Sequence, residues 1–253
     1  MSTQQAEPDE VKGSGAPQPR PDRQTAPRMA KPEVHAASPA LGWYTDTVLY
    51  HDVWNRPGLG KRDRSLVTVA ALITCGWMAQ LKGHIGRALA NEVQPVEIVE
   101  TVAHLAFFAG WPPVMSSVAV MDQVFRDNGV DPETLGQTTP SMVETSTDAT
   151  SSDDRGPFST TLRACTDRAV FHDLWSRTEL SARDRSLVTI TSLVASGQIQ
   201  ELTGYARRGL EDGLTVDDLS EVIAHLAFYV GLAKATAAAG QLDEALSAGA
   251  IQA

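Results

Sequence analysis

Histidine and arginine three residues apart on one helical face can bind a carboxylate and move a proton, and His84 and Arg87 have that spacing. Arg208 repeats Arg87 at an offset of 121 residues, but Tyr205 stands where His84 would recur. Tyrosine can donate a proton and is a poor base near neutral pH. A second constellation occurs in full twice: Glu100 precedes His104 by four residues, and Glu221 precedes His225 by four. On a helix that spacing puts a carboxylate beside an imidazole, which it can orient or charge. A histidine on an apolar helix can equally be a satisfied core or interface residue, and the glutamate a structural partner. Arg62, Asp63 and Arg64 return as Arg183, Asp184 and Arg185. The aspartates suit a helix start, and the arginines fit either an inter-helix salt bridge or an anionic substrate.

These residues sit in a written-out duplication. KRDRSLVTVAALITCG at Lys61–Gly76 returns as ARDRSLVTITSLVASG at Ala182–Gly197, and ETVAHLAFFAG at Glu100–Gly110 as EVIAHLAFYVG at Glu221–Gly231. One helical module occurs twice without a gap in the offset. Leu41–Trp54, Arg62–Cys75, Met78–Ala90, a helix from Pro95 to Phe108 and a final small-residue helix are expected in the first copy. Leu66, Val69, Ala70 and Ile73 form its core stripe. Pro95 suits a first helical turn, Gly76 and Gly197 suit helix ends, and Ser181 with Asp184 reads as a capping box. Thr215 caps the helix that starts beside Asp218. No segment alternates as a strand does, so the fold class is all-α. The expected layout is a disordered tail over 1–38, a module over 39–130, a Ser/Thr/Asp-rich linker over 131–157 and a second module over 158–250.

A net charge of -10 in 253 residues opposes nucleic acid or an anionic membrane as the main partner. No apolar run is long enough for a membrane span, and the N-terminus lacks the apolar region of a signal peptide. Two cysteines at non-equivalent positions, Cys75 and Cys165, make neither a disulfide framework nor a metal cluster, so a reduced, cytoplasmic protein is expected. No phosphate-cradling glycine loop and no zinc-spaced Cys/His set is present, so no cofactor and no metal are expected.

RDRSLVTVAALITCG, GHIGRALANEV and VEIVETVAHLAFFAGWPP together resemble the carboxymuconolactone decarboxylase family, within the superfamily that includes the alkylhydroperoxidase AhpD. The resemblance covers about Tyr44–Phe125 and Arg163–Leu246. It implies an AhpD-like helical bundle module, here fused in tandem, and a homo-oligomer: a trimer of tandem modules, or a dimer. Peroxidase members of the superfamily use a Cys-x-x-Cys pair ahead of the histidine that His84 matches. Those cysteine positions hold Trp77 and Gln80 here, and Gln198 and Glu201 in the second copy. Disulfide-based peroxide reduction needs both thiols, which leaves the decarboxylase-like branch.

The resemblance implies a cofactor-free lyase on a small carboxylated or lactone-type metabolite. His84, Arg87, Glu100 and His104 are the expected catalytic group, with His84 as acid and Glu100 holding His104. Arg64, Trp77, Gln80, Tyr205, Arg208 and His225 are expected to bind substrate. Trp77, Trp111, Phe107 and Phe108 can wall a pocket or fill a core. An isomerase or cyclase on the same scaffold, or a non-catalytic binding protein, stays open, and a thiol peroxidase using Cys75 is the least supported.

Overall fold

The computed structural model describes residues 27–136 and 157–252. They form two compact units, the first ending at Arg56 and the second running from Pro57 onward. All regular structure among the described residues is helical, and no helix is long and apolar enough to cross a membrane.

The first unit holds α1 (Pro32–Ala37) and α2 (Pro39–Tyr44), which runs on as a π-helical stretch, Thr45–Val53. Both α-helices start at proline, whose missing N–H costs nothing there. Asp46 organises the unit. Its buried carboxylate accepts the backbone N–H groups of Met29 and Ala30, each at 2.7 Å, and lies 2.9 Å from the His35 imidazole. Pro32–Ala37 is thus helical where composition alone predicted tail. Residues 1–26, and 137–156 of the expected linker, lie outside the described residues.

In the second unit the first copy supplies α3 (Lys61–Thr74), α4 (Met78–Ala90), α5 (Pro95–Phe108) and α6 (Trp111–Asp127). A short 3-10 turn, Pro132–Leu135, ends it. The second copy supplies α7 (Pro157–Thr166), a π-helical stretch Asp167–Asp173, a 3-10 turn Leu174–Ser176, then α8 (Ala182–Ser196), α9 (Leu202–Glu211), α10 (Val216–Leu226) and α11 (Leu232–Ser247). The helix stops follow local chemistry. Gly76 and Gly197 take φ of 70° and 81°, the left-handed region that a side chain disfavours. Thr215 and Asp218 form a reciprocal capping box, as do Gln94 and Glu97, a pair the sequence reading did not single out. Ser181 accepts from Asp184 N, but the Asp184 carboxylate turns instead to Arg62 and Arg183.

α3 and α8 pack on each other at the centre of the unit, and each also meets α5 and α10. The predicted stripe on α3 understates its burial: every residue from Arg64 to Ile73 is buried, and on α8 every residue from Asp184 to Ala195. A helix apolar or buried all round belongs inside a core. One hydrophobic cluster joins both copies, from Leu66, Ile73 and Leu105 to Leu187, Val194 and Leu226.

Charge fixes the register of the copies. Arg62 bonds Asp184 at 2.8 Å, and Arg183 bonds Asp63 at 2.8 Å, a two-fold exchange at the starts of α3 and α8. Deeper, Arg64 bonds Glu221 at 2.9 Å and Arg185 bonds Glu100 at 2.9 Å. Both arginines are fully buried, so each needs its partner from the other copy. Removing one member of a buried pair leaves a charge in low dielectric at a cost of roughly 3–5 kcal/mol. Glu100→Ala strips the carboxylate from Arg185, so urea unfolding is expected to show a loss of that size. A change under about 1 kcal/mol would mean that the pair behaves like a surface one.

Candidate functional site

The two-fold exchange sorts the candidate residues into two clusters, each assembled from helices of both copies. His84 on α4 stands edge-on to Tyr229, with ring centroids 5.5 Å apart, and His225 on α10 stacks on the same Tyr229 ring at 4.9 Å. Arg64 and Glu221 form the ion pair of this cluster. In the other, His104 on α5 stacks on Phe108 at 4.8 Å and meets Trp175 edge-on at 5.1 Å. Tyr205 on α9 stands edge-on to Phe108 at 5.6 Å, and the Arg208 guanidinium lies over the Trp175 ring, 3.5 Å from its centroid. Offset by 121 residues, Tyr205 replaces His84 and Phe108 replaces Tyr229.

The expected group of His84, Arg87, Glu100 and His104 is therefore divided. His84 keeps company with His225, while His104 belongs to the Tyr205 cluster. Nor does Glu100 hold His104. Its oxygens bind Arg177 at 2.5 and 2.9 Å and Arg185 at 2.9 Å. Two guanidiniums offer a carboxylate more than one imidazole does. Burial works against the charge on Glu100, but the bonds to Arg177 and Arg185 outweigh it and hold its carboxyl below the usual carboxylate range.

His104 is held by a threonine. Its Nε2 lies 2.7 Å from Thr189 Oγ1, whose own proton is donated to Arg185 O at 2.8 Å. The hydroxyl can then only accept, so His104 carries its proton on Nε2 and leaves Nδ1 a bare lone pair. The arrangement recurs at His225, where Nε2 lies 2.8 Å from Thr68 Oγ1 and that hydroxyl donates to Arg64 O at 2.7 Å. Burial pushes His104 down to about 3, and Arg185 and Arg208 push the same way. Burial, with Arg64 and His84, takes His225 to about 3 against a weaker opposing pull from Glu221. Burial and then Arg87 take His84 to about 4. At neutral pH all three imidazoles are uncharged, so His84 in the ligand-free protein carries no imidazolium proton. Burial, then Glu201, raises the Tyr205 phenol, so it stays protonated.

Trp77 and Gln80 remain on the surface, as do Phe107 and Trp111, which pack only against each other among the aromatic rings. Phe108 alone of the expected aromatic wall enters a cluster. Cys75 is half-buried, its thiol pushed up by burial. Among the described residues no group of three or more His, Cys, Asp or Glu is placed to hold a metal ion.

Sequence reasoning missed Thr68, Thr189, Trp175 and Arg177. The signal was available. Thr68 and Thr189 recur inside the apolar SLVTV and SLVTI runs, and Trp175 and Arg177 repeat Trp54 and Arg56 in DLWSR and DVWNR.

The buried imidazoles predict acid sensitivity. In the unfolded chain each takes a proton near pH 6.5, but in the folded protein only near pH 3 to 4. Between those values the unfolded state binds more protons. Stability is full above about pH 6.5 and falls as the pH drops, by up to about 1.4 kcal/mol per pH unit for each imidazole. Calorimetry from pH 7.5 to 5.0 should show a falling Tm, and a shallower slope in His104→Gln. A flat Tm across that range would contradict neutral burial.

The model of the carboxymuconolactone decarboxylase family matches residues 39–123 and 162–244. Among individual proteins, 4-carboxymuconolactone decarboxylase of Acinetobacter baylyi is 35% identical over 86 residues, which cover 34% of this chain and 64% of that protein. Nitrosuccinic acid decarboxylase of Metarhizium robertsii is 35% identical over 75 residues, 30% of this chain and 52% of that protein. An uncharacterized 15.0 kDa protein of Paracoccus denitrificans is 30% identical over 76 residues, 29% and 57% respectively. The matched stretches thus span between about half and two thirds of these relatives.

Proposed function

Because the chain belongs to the carboxymuconolactone decarboxylase family, we propose that it is a carboxy-lyase that decarboxylates a small carboxylated or lactone-type metabolite at the His84 cluster. The observation that supports this most is the convergence of His84, His225 and Tyr229, contributed by different copies, beside the buried cation Arg64. Two of the similar proteins are named as decarboxylases.

Decarboxylation breaks the bond between a carbon and its carboxyl group. The electron pair stays on the carbon, delocalised into a neighbouring carbonyl or alkene, and carbon dioxide departs. Arg87, one turn along α4 from His84, binds a substrate carboxylate. Arg64, buried beside His225, stabilises the developing negative charge; groups fixed in place for charge that appears only in the transition state are the most effective kind. Burial and Arg87 keep His84 neutral in the empty site. A bound anion offsets Arg87 and lets the imidazole take the proton that it then delivers to carbon. His84 is only partly buried, so solvent can restore it.

We also propose that copies of the chain associate. Phe107 and Trp111 are 37% and 55% exposed, and their repeat counterparts Phe228 and Leu232 are 50% and 72% exposed. Apolar side chains left open at matching places in both modules suit contact with a second copy.

Carbon dioxide release and product mass, followed over carboxylated lactones and cyclic β-keto acids, test the reaction. Wild type is expected to turn over a member of the panel, His84→Ala to lose roughly 100- to 10,000-fold in kcat, and Cys75→Ser to keep full activity. A product of unchanged mass would replace lyase by isomerase, and full activity in His84→Ala would move the chemistry elsewhere. Light scattering should give a multiple of the chain mass; a strict monomer would refute association.

A further inference from the structure

The Tyr205 cluster holds three buried polar atoms that make no hydrogen bond among the described residues: Arg185 Nη1, Trp175 Nε1 and His104 Nδ1. Arg185 and His104 are both fully buried. Such atoms are costly unless something pairs with them. They belong to one connected group, since Trp175 touches His104 and carries Arg208 on its face, while Arg185 and Arg208 both act electrostatically on His104.

Their chemistry is not uniform. Arg185 Nη1 and Trp175 Nε1 are donors. His104 Nδ1 is an acceptor, because the Thr189 hydroxyl fixes the imidazole proton on Nε2. Cations and carboxylates both border the cluster. Arg177 and Arg185 share Glu100, and Glu179 and Asp173 also act on Arg177. Arg208 adds a cation at the rim, partly matched by Asp212 at 3.6 Å, which also accepts from Ser186, and Glu201 lies within electrostatic range of Tyr205. Phe108, Tyr205 and the Trp175 ring supply apolar surface.

We propose that the Tyr205 cluster is a second ligand site, chemically distinct from the His84 cluster, that binds a small hydroxy-carboxylate. The carboxylate takes the N–H groups of Arg185 and Trp175, and the ligand hydroxyl donates to His104 Nδ1. The phenol of Tyr205 closes the side where the other cluster has an imidazole. The site does not depend on the reaction proposed above: it binds whether or not the His84 cluster turns anything over.

The test follows the indole N–H of Trp175 by two-dimensional nitrogen–proton NMR on the full chain in the His84→Ala background. The five tryptophans give five indole signals. Trp175→Phe assigns the one of interest, or single Phe variants at the other four do so by elimination if that variant does not fold. Lactate and propionate, which differ by one hydroxyl, are titrated at constant ionic strength. Lactate is expected to move the Trp175 signal saturably and to bind roughly 2- to 10-fold tighter than propionate, the yield of one hydrogen bond of about 0.5–1.5 kcal/mol. Arg208→Gln, at a half-exposed position, should weaken both acids by a similar factor. No saturable shift with either acid, or the same shift with chloride, overturns the site. Equal affinity for the two acids overturns the hydroxyl-to-His104 contact and with it the ligand class. Loss of turnover in His84→Ala with the Trp175 shift retained separates this site from the reaction.

Discussion

The second unit depends on an exchange of buried charge. Arg64 and Arg185 lie on the two central helices, fully enclosed, and neither finds its carboxylate in its own copy. An uncompensated guanidinium in that core would be untenable, so the copies must present α5 and α10 to each other's central helix. Once they do, each glutamate's neighbour one turn on, His104 or His225, is carried to the same seam. There it meets the threonine that follows the arginine by one turn. Position, tautomer and low basicity of the histidines all follow from where the arginines find their partners.

Much of this was legible in the chain. The duplication and the all-helical class could be read directly, and the ends of α3 and α8 and the starts of α5 and α10 were set by residues acting within a few positions of themselves: Gly76, Gly197, Pro95 and Thr215. The structure groups the candidate residues differently from what their spacing along a helix suggests. A glutamate four residues before a histidine reads as a local pair because helical neighbours are what sequence spacing reports. The competition was settled 85 residues away, where Arg185 and Thr189 claim Glu100 and His104. Spacing along one helix carries no information about which copy faces it. Trp77 and Gln80 show the converse. They were chosen for their alignment with a thiol pair, and without thiols nothing draws those positions inward.

The two clusters are built from the same parts. Both have a buried arginine, a carboxylate, a threonine-bound imidazole and an aromatic wall. They differ in where the phenol sits: Tyr229, just past the end of α10, meets His84, whereas Tyr205 on α9 meets Phe108. In one, two imidazoles face a shared ring. In the other, a single imidazole, held by Thr189, lies among Phe108, Trp175 and the cations Arg185 and Arg208.

Fusion of the two modules into one chain has a genetic consequence. In a symmetric pair of separate modules, one substitution on the helix that carries His84 would appear in both sites at once. Here the same mutation appears in one site only, because Met78–Ala90 and Leu202–Glu211 are different stretches of one message. Selection can then redraw one cluster while its neighbour is preserved, with the shared arginine seam holding both in shape. The difference between Tyr205 and His84 is one that such a covalently joined pair can keep on one side.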